Sequence, residues 1–304
     1  MTVLVTGSAG LVGHAVRRRL EASGTPVVPL DVVARSGDGV EQVAADLLDT
    51  DRLEEVFSAT RPDVVVHAGG VSGPMVRTDD PVGIVRVNVD GTANLLDAAR
   101  RHGVGRVVYC SSVAAYGRIA GDGPVVEETP LHPTNVYGAT KAAGEQLLEA
   151  YRHQFGLPTV ALRLVAVFGP RRSTDCLIRT LLVDAAEGRR TRTGLPADAP
   201  QQYVYVDDAA DAVVAAIGHP ESVGAYNITG GGRSTAAEIV DAVRAVEPRV
   251  DAELAPADPA AAAGWPGPLD PTATARDLGW TAGWTFSEAV RAYRDRLAQE
   301  LADR

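Results

Sequence analysis

Tyr137 and Lys141 stand four residues apart in the stretch Asn135-Val136-Tyr137-Gly138-Ala139-Thr140-Lys141. On a helix that spacing puts both side chains on one face, where phenol and ammonium can meet. A fixed cation favours phenolate and draws the tyrosine pKa down from its usual ~10 toward working pH. A phenol tuned in this way is a general acid and base. An isolated pair at this spacing is more often a solvated helix face. Residue usage changes the weighting, because Lys141 is the only lysine among the 29 Lys and Arg residues and all the others are arginines. A compact ammonium is the feature that a planar guanidinium does not replace.

The elements that must position this pair begin at the N-terminus. Val3-Leu4-Val5 predicts a short strand, and Gly7, Gly10 and Gly13 then fall at G-x-x-G-x-x-G spacing, opening a helix to about Ala22. Such a turn lets backbone approach a pyrophosphate, which sits on the N–H groups at the positive end of the helix. A second strand, Val27 to Leu30, ends on Asp31, 18 residues after Gly13. A carboxylate there accepts from ribose hydroxyls and repels a 2′-phosphate, which predicts NAD over NADP; a solvated loop aspartate is the plain alternative. Asp46 reads either as a contact to the adenine edge or as a turn starter. Asp63 to His67 predicts a further strand running into Ala68-Gly69-Gly70, where small residues let backbone lie against a flat ligand. His67 reads as a packed histidine at the strand end. A long helix is predicted from Pro81 to about Arg101, with Val85, Val89, Thr92, Leu96 and Ala99 on one stripe and Asn88 beside it. Strands at Arg106–Tyr109, delivering Cys110-Ser111-Ser112, and at Thr159–Leu164 follow.

Strands alternating with helices at this interval predict an α/β fold, a Rossmann-type doubly wound parallel sheet. The signals at residues 7, 31, 69, 112 and 137 all fall at or just after the C-terminal ends of strands, in one ligand crevice. Beyond about residue 169 the alternation loosens. Helices near Thr174–Glu187, Asp207–Ile217, Thr235–Val246 and Ser287–Ala302 and strands at Tyr203–Val206 and Tyr226–Ile228 are predicted there. The expected division is an NAD-binding domain over 1–168, completed by about 203–228, and a smaller C-terminal α/β substrate lobe over 169–202 and 229–304. Pro256 to Pro268, rich in Ala, Pro and Gly, reads as a loop.

At 304 residues and 45% hydrophobic, the chain reads as an ordinary soluble globular protein with a full core. Its formal net charge of −10 argues against nucleic acid or an anionic membrane as partner. An anionic substrate must therefore meet locally placed arginines. Cys110 and Cys176 give neither a disulfide framework nor a metal-ligand spacing, which fits a reducing cytosol and predicts a cytoplasmic protein without a metal. No signal peptide is read at the N-terminus and no apolar run approaches the ~20 residues of a membrane span.

Taken together, these motifs make the chain resemble an extended short-chain dehydrogenase/reductase, the family of nucleotide-sugar epimerases and dehydratases. The resemblance covers nearly the whole length and includes Val87-Asn88-Val89-Asp90-Gly91-Thr92, Ser111-Ser112 with Tyr116-Gly117, Phe168-Gly169-Pro170, Tyr205-Val206-Asp207-Asp208 and Leu278-Gly279-Trp280. It implies that Tyr137 transfers the proton, that Lys141 holds the nicotinamide ribose while lowering the Tyr137 pKa, and that Ser112 hydrogen-bonds the reacting hydroxyl or carbonyl. It implies further that Gly7, Gly10, Leu11, Val12, Gly13, Asp31, Asp46, Leu47, Ala68, Gly69, Gly70, Asn88 and Val165 line NAD. Its helices carrying Asn88 and Tyr137 imply a homodimer, the second through an apolar stripe of Ala143, Leu147, Tyr151 and Phe155.

Departures from the family pattern sort its branches. Val113 and Ala114 stand where dehydratases carry an acidic pair, and Val113 also replaces a cysteine used by one group of epimerase-reductases. Ala166 and Gln201 stand where enzymes of UDP-sugars usually have the asparagine and arginine that meet the substrate diphosphate. Arg171 and Arg172 are placed either to supply that charge, to a diphosphate or a carboxylate, or to be solvated. His67-Ala68-Gly69-Gly70-Val71-Ser72 also resembles the turn of uronate and related sugar-acid dehydrogenases, which implies a substrate contact for Ser72; an ordinary turn serine is the plain alternative. The expected activities are an NAD-dependent epimerase of a sugar nucleotide acting through a transient keto-sugar, or an NAD-dependent dehydrogenase of a free sugar or sugar acid. An NAD(H)-sensing protein without turnover is the third.

Overall fold

A computed structural model describes residues 1–73, 76–119, 123–259 and 267–302. The apolar runs read from the sequence become β1 (Val3–Thr6), β2 (Val27–Asp31), β4 (Val64–His67), β5 (Arg106–Ser112) and β6 (Thr159–Leu164), and a two-residue strand, β3 (Val43–Ala44), is added that was not read there. Together with Gly224–Ile228 they form one sheet in the order β3-β2-β1-β4-β5-β6 and then Gly224–Ile228 at the edge. Every pairing in it is parallel. From β1 the chain winds outward to β2 and β3, then returns to β4 on the other side of β1. That reversal opens a crevice beyond the carboxyl ends of β1 and β4, the place where such sheets bind ligands.

Both faces of the sheet are covered, which is why its strands are unbroken apolar runs rather than alternating ones. Val3, Val5, Val66, Val108 and Leu162 pack on one face, with Val16 and Leu20 of α1 (Leu11–Ala22). Leu4, Val65, Val107 and Ala161 pack on the other, with Leu53 and Phe57 of α2 (Thr50–Thr60). Each such side chain, fully buried, contributes on the order of 1.5–3 kcal/mol.

The helix expected over Pro81–Arg101 is interrupted. It runs as α3 (Pro81–Val85), a π-helical turn at Arg86–Asp90, and α4 (Gly91–Arg101). Asp80 starts it by accepting from the Gly83 N–H at 2.9 Å, with Pro81 in the first turn. A π-turn inserts one residue into the helix and re-aims the side chains around it, and here it buries Asn88. After β5, α5 (Val136–Phe155) is capped by Asn135, whose Oδ1 accepts from the Gly138 N–H at 2.8 Å, and ends at Gly156 in left-handed backbone (φ 70°).

The second half adds β7 (Ala166–Phe168), α6 (Leu177–Ala186) and α7 (Val206–Gly218), the last packing against α1. β7 pairs in parallel with Tyr203–Tyr205. Two further small sheets join Pro200–Gln201 to Ser234–Thr235 and Thr191–Pro196 to Ala252–Ala255. The strand Thr191–Pro196 and the helix Thr272–Leu278 were not expected: the strand has two exposed residues, including an arginine, among six, and the helix is seven residues long, so neither leaves an apolar period. Of the predicted loop Pro256–Pro268, residues 260–266 lie outside the described residues.

Candidate active site

β5 runs three residues farther than its apolar run, to Ser112, whose Oγ accepts from the Ala114 N–H at 3.2 Å and so starts the short turn Val113–Ala115. α5 presses onto that turn. A Cβ on Gly138 would stand 2.3 Å from the Ala114 carbonyl oxygen, so only glycine lets the helix start this close. The result brings Tyr137 beside Ser112. Tyr137 is 8% exposed, and its phenol faces the Ser112 side chain and the Gly73 backbone N–H, both of which favour its phenolate.

Burial pushes the Tyr137 phenol above its ordinary pKa, while Ser112, Gly73 and the charge of Arg172 work the other way. This corrects the expectation of a phenol lowered by its lysine neighbour. Lys141 is buried and its Nζ donates to the Cys110 carbonyl at 2.9 Å. The ammonium lies 4.7 Å from the Tyr109 ring centroid and 5.9 Å from that of Tyr137, against rings rather than against the phenol oxygen. Burial lowers the Lys141 pKa to about 8, the Cys110 and Glu145 charges opposing. Arg172, read from the sequence as a substrate-facing or solvated arginine, also favours the phenolate, and its guanidinium is fixed by the carbonyls of Val167, Thr174 (3.3 Å) and Asp175 (2.9 Å).

One residue before Ser112, the Ser111 hydroxyl donates to Glu145, which pairs with Arg163 at 2.7 Å, both side chains almost wholly buried. Arg163 also donates to the Tyr116 hydroxyl at 2.7 Å and the Glu127 carbonyl at 2.8 Å. This network ties β5, α5 and β6 together behind the site. Its only sequence signal is an acid four residues beyond Lys141, on the same helix face.

A cleft of about 1450 Å³ opens beyond the strand ends. It is lined by Gly7, Gly10, Leu11, Val12, Gly13, Asp31, Asp46, Leu47, Ala68, Gly69 and Gly70, and also by Ser72, Ser112, Tyr137, Lys141, Val165 and Arg171. Gly7 takes left-handed backbone (φ 66°), and a Cβ on Gly13 would fall 2.2 Å from the Gly7 carbonyl. No side chain caps α1, whose first-turn N–H groups are left for a ligand. Asp31 is anchored by the N–H groups of Ala9 (3.0 Å) and Val33 (3.4 Å). Asp46 accepts from the Leu48 N–H at 2.9 Å, the geometry of a turn aspartate, on the cleft wall. A backbone cradle, an uncapped helix and a carboxylate at the second strand end fit a dinucleotide without a 2′-phosphate.

Two predicted site residues are placed differently. Asn88 does not line the cleft; it is 3% exposed, bonds both backbone groups of Val71 (2.8 and 3.1 Å) and donates to Thr140 Oγ1 at 3.0 Å. It braces the cleft floor against α5, because the π-turn swings it inward. Arg171, expected at the substrate, reaches instead to the Ala9 carbonyl in the glycine turn at 3.2 Å. His67 is a packed histidine, set between Thr6 Oγ1 (2.9 Å) and Thr92 Oγ1 (3.0 Å) and lowered to about 3 by burial and by Lys141. Cys110 and Cys176 are buried free thiols. Among the described residues no cluster of His, Cys, Asp or Glu fits a metal ion, and no helix is long and apolar enough to cross a membrane.

Residues 3–229 match the profile of the NAD dependent epimerase/dehydratase family. The UDP-glucose 4-epimerase of Mycolicibacterium smegmatis is 32% identical over 256 residues, 80% of this chain and 82% of that protein. The dTDP-L-rhamnose 4-epimerase of Burkholderia thailandensis is 27% identical, over 98% of this chain and 95% of the other. The structure of Thermus thermophilus UDP-glucose 4-epimerase in complex with NAD superposes with a TM-score of 0.87 at 30% identity, covering 98% of this chain and 99% of that one. The profile spans most of the chain and a relative above 30% identity is covered over four-fifths, so this chain belongs to the NAD dependent epimerase/dehydratase family, as an NAD-using enzyme of the extended short-chain dehydrogenase/reductase type.

Proposed function

We propose that the chain epimerises a nucleotide sugar at a carbinol carbon, the C4 position by analogy with its relatives, through a transient keto-sugar. The observation that carries this is the buried Tyr137 phenol, which lines the cleft together with Ser112 and Gly73. NAD, when bound, supplies the acceptor and donor of hydride. Tyr137 takes the sugar hydroxyl proton while Ser112 hydrogen-bonds the same oxygen. Gly73 and Arg172 favour the phenolate during that step, offsetting part of its burial. After the ketone turns over in the site, its other face is presented for the return of the hydride, and Tyr137 gives the proton back to the same oxygen. Lys141, a buried cation held by the Cys110 carbonyl, orients the nicotinamide ribose. No acidic side chain stands at Val113 or Ala114, so elimination of water lacks its acid and base.

A dehydrogenase of free sugars or sugar acids is the competing reading, favoured by one observation: Arg172 is fixed by three carbonyls and Arg171 is turned to Ala9, so neither is spare for a substrate diphosphate. Against it, Arg77, Arg86 and Arg118 line the cleft, and among the described residues their side chains make no hydrogen bond or ion pair. UDP-, dTDP- and GDP-sugars are screened beside free uronates and aldonates, following NADH absorbance and product together. An epimer formed without net NADH is expected. Net NADH from a free sugar acid overturns the epimerase.

Within this reading the NAD-binding domain is 1–168, completed by about 203–228, and 169–202 with 229–304 forms the substrate lobe. The protein is a cytoplasmic homodimer, supported by its two free thiols and by Val82, Val85 and Phe155, which stand 68%, 41% and 45% exposed on α3 and α5. A monomer by light scattering contradicts the dimer.

A further inference from the structure

Arg171 carries three features that its neighbours do not explain. It sits in left-handed backbone (φ 70°), a conformation that a non-glycine side chain keeps only when its surroundings impose it. It reaches back across the cleft from the turn after β7: Nη2 donates to the Ala9 carbonyl at 3.2 Å, and the guanidinium lies about 3.2 Å from where a Cβ on Gly37 would stand. Its Nε is buried and has no hydrogen-bond partner, and among the described residues no carboxylate pairs with it. The nearby acid, Asp38, is taken by Arg17 and His14.

A cation left unpaired beside the positive end of a helix is unfavourable unless an anion joins them. α1 presents that positive end at the glycine turn, with no side chain capping it. The Arg171 charge is already felt there, for it is the second cause, after burial, of the low His14 pKa of about 4.

We propose that Arg171 is a cofactor-binding residue, a strap from the second half of the chain that closes over the NAD pyrophosphate on the first turn of α1. The dianionic pyrophosphate takes the charge-assisted hydrogen bonds that the guanidinium lacks. This rests on the NAD cofactor and not on the identity of the sugar.

The test uses the full chain freed of nucleotide and measures binding of NAD, ADP-ribose and adenosine by calorimetry. Arg171→Ala is expected to weaken NAD and ADP-ribose by about 10- to 100-fold and to leave adenosine unchanged. Arg171→Lys recovers part of the loss, and raising salt weakens the wild type more than Arg171→Ala. Arg171→Gly removes the charge and relieves the left-handed backbone, so it keeps the measurement open if Arg171→Ala does not fold. Wild-type affinity of the variants for ADP-ribose, or an equal loss for adenosine, overturns the proposal.

Discussion

Glu145→Ala is expected to be among the most damaging single changes away from the reacting groups. The carboxylate accepts from Arg163 Nη2 at 2.7 Å and Nε at 3.1 and 3.2 Å, with the two side chains 6% and 7% exposed. Removing it leaves a guanidinium buried beside an empty volume, a loss of about 3–5 kcal/mol. Measured against total stabilities of roughly 5–15 kcal/mol, that is a large share. At ~2–4 °C per kcal/mol for large domains it lowers Tm by on the order of 10 °C. Arg163 keeps Tyr116 and the Glu127 carbonyl, which bounds the loss from above. The assay is urea unfolding followed by circular dichroism, run as a double-mutant cycle with Arg163→Met and Glu145→Leu. The apolar pair should recover most of what either single change loses, because the cost lies in one charge buried alone. The same substitution removes a charge that holds the Lys141 pKa up, so the alkaline fall of the rate moves to lower pH. Single losses under ~1 kcal/mol with no coupling refute the reasoning.

Gly138→Ala places a methyl 2.3 Å from the Ala114 carbonyl; α5 must move, with an expected loss of about 1–3 kcal/mol and a fall in turnover, read by thermal melt and rate together. Stability should decline in mild acid. His67 and His14 are lowered from 6.5 to about 3 and about 4, so between those values the unfolded chain binds protons that the folded one does not. Their contribution is complete above about pH 6.5 and is lost as pH falls, by at most ~1.4 kcal/mol per pH unit for each imidazole. Unfolding midpoints from pH 7 downward, for the wild type and His67→Gln, check this; an equally steep decline in the variant contradicts the assignment to His67.

The parallel sheet was legible because strands buried on both faces are written as continuous apolar runs, as at Val64–His67 and Thr159–Leu164. The glycine turn and Tyr137 were legible because their chemistry is local, a βα turn and a helix face. Other features depend on contacts far apart in sequence. Arg171 meets Ala9 across 162 positions, and nothing near Arg171 says which end of the cleft it faces. Asn88 was misplaced because one extra residue in a helical turn rotates every side chain around it, and that insertion has no sequence mark. The Lys141 ammonium was read against the phenol from spacing alone, while its partner is a backbone carbonyl, which spacing cannot reveal. The two small sheets that join Pro200–Gln201 to Ser234–Thr235 and Thr191–Pro196 to Ala252–Ala255 were missed for another reason. Their strands are two to six residues long, with exposed Arg and Glu side chains that break the apolar pattern.

The central claim is that the Tyr137 phenol carries the proton while the cleft holds NAD independently of it. Turnover and NAD affinity of Tyr137→Phe, measured on one preparation with the best substrate of the screen, test it most directly. The account predicts a rate lower by about 10²–10⁴ with NAD affinity within about twofold of wild type. A variant that keeps its rate within about tenfold, or that loses NAD and activity together, contradicts it.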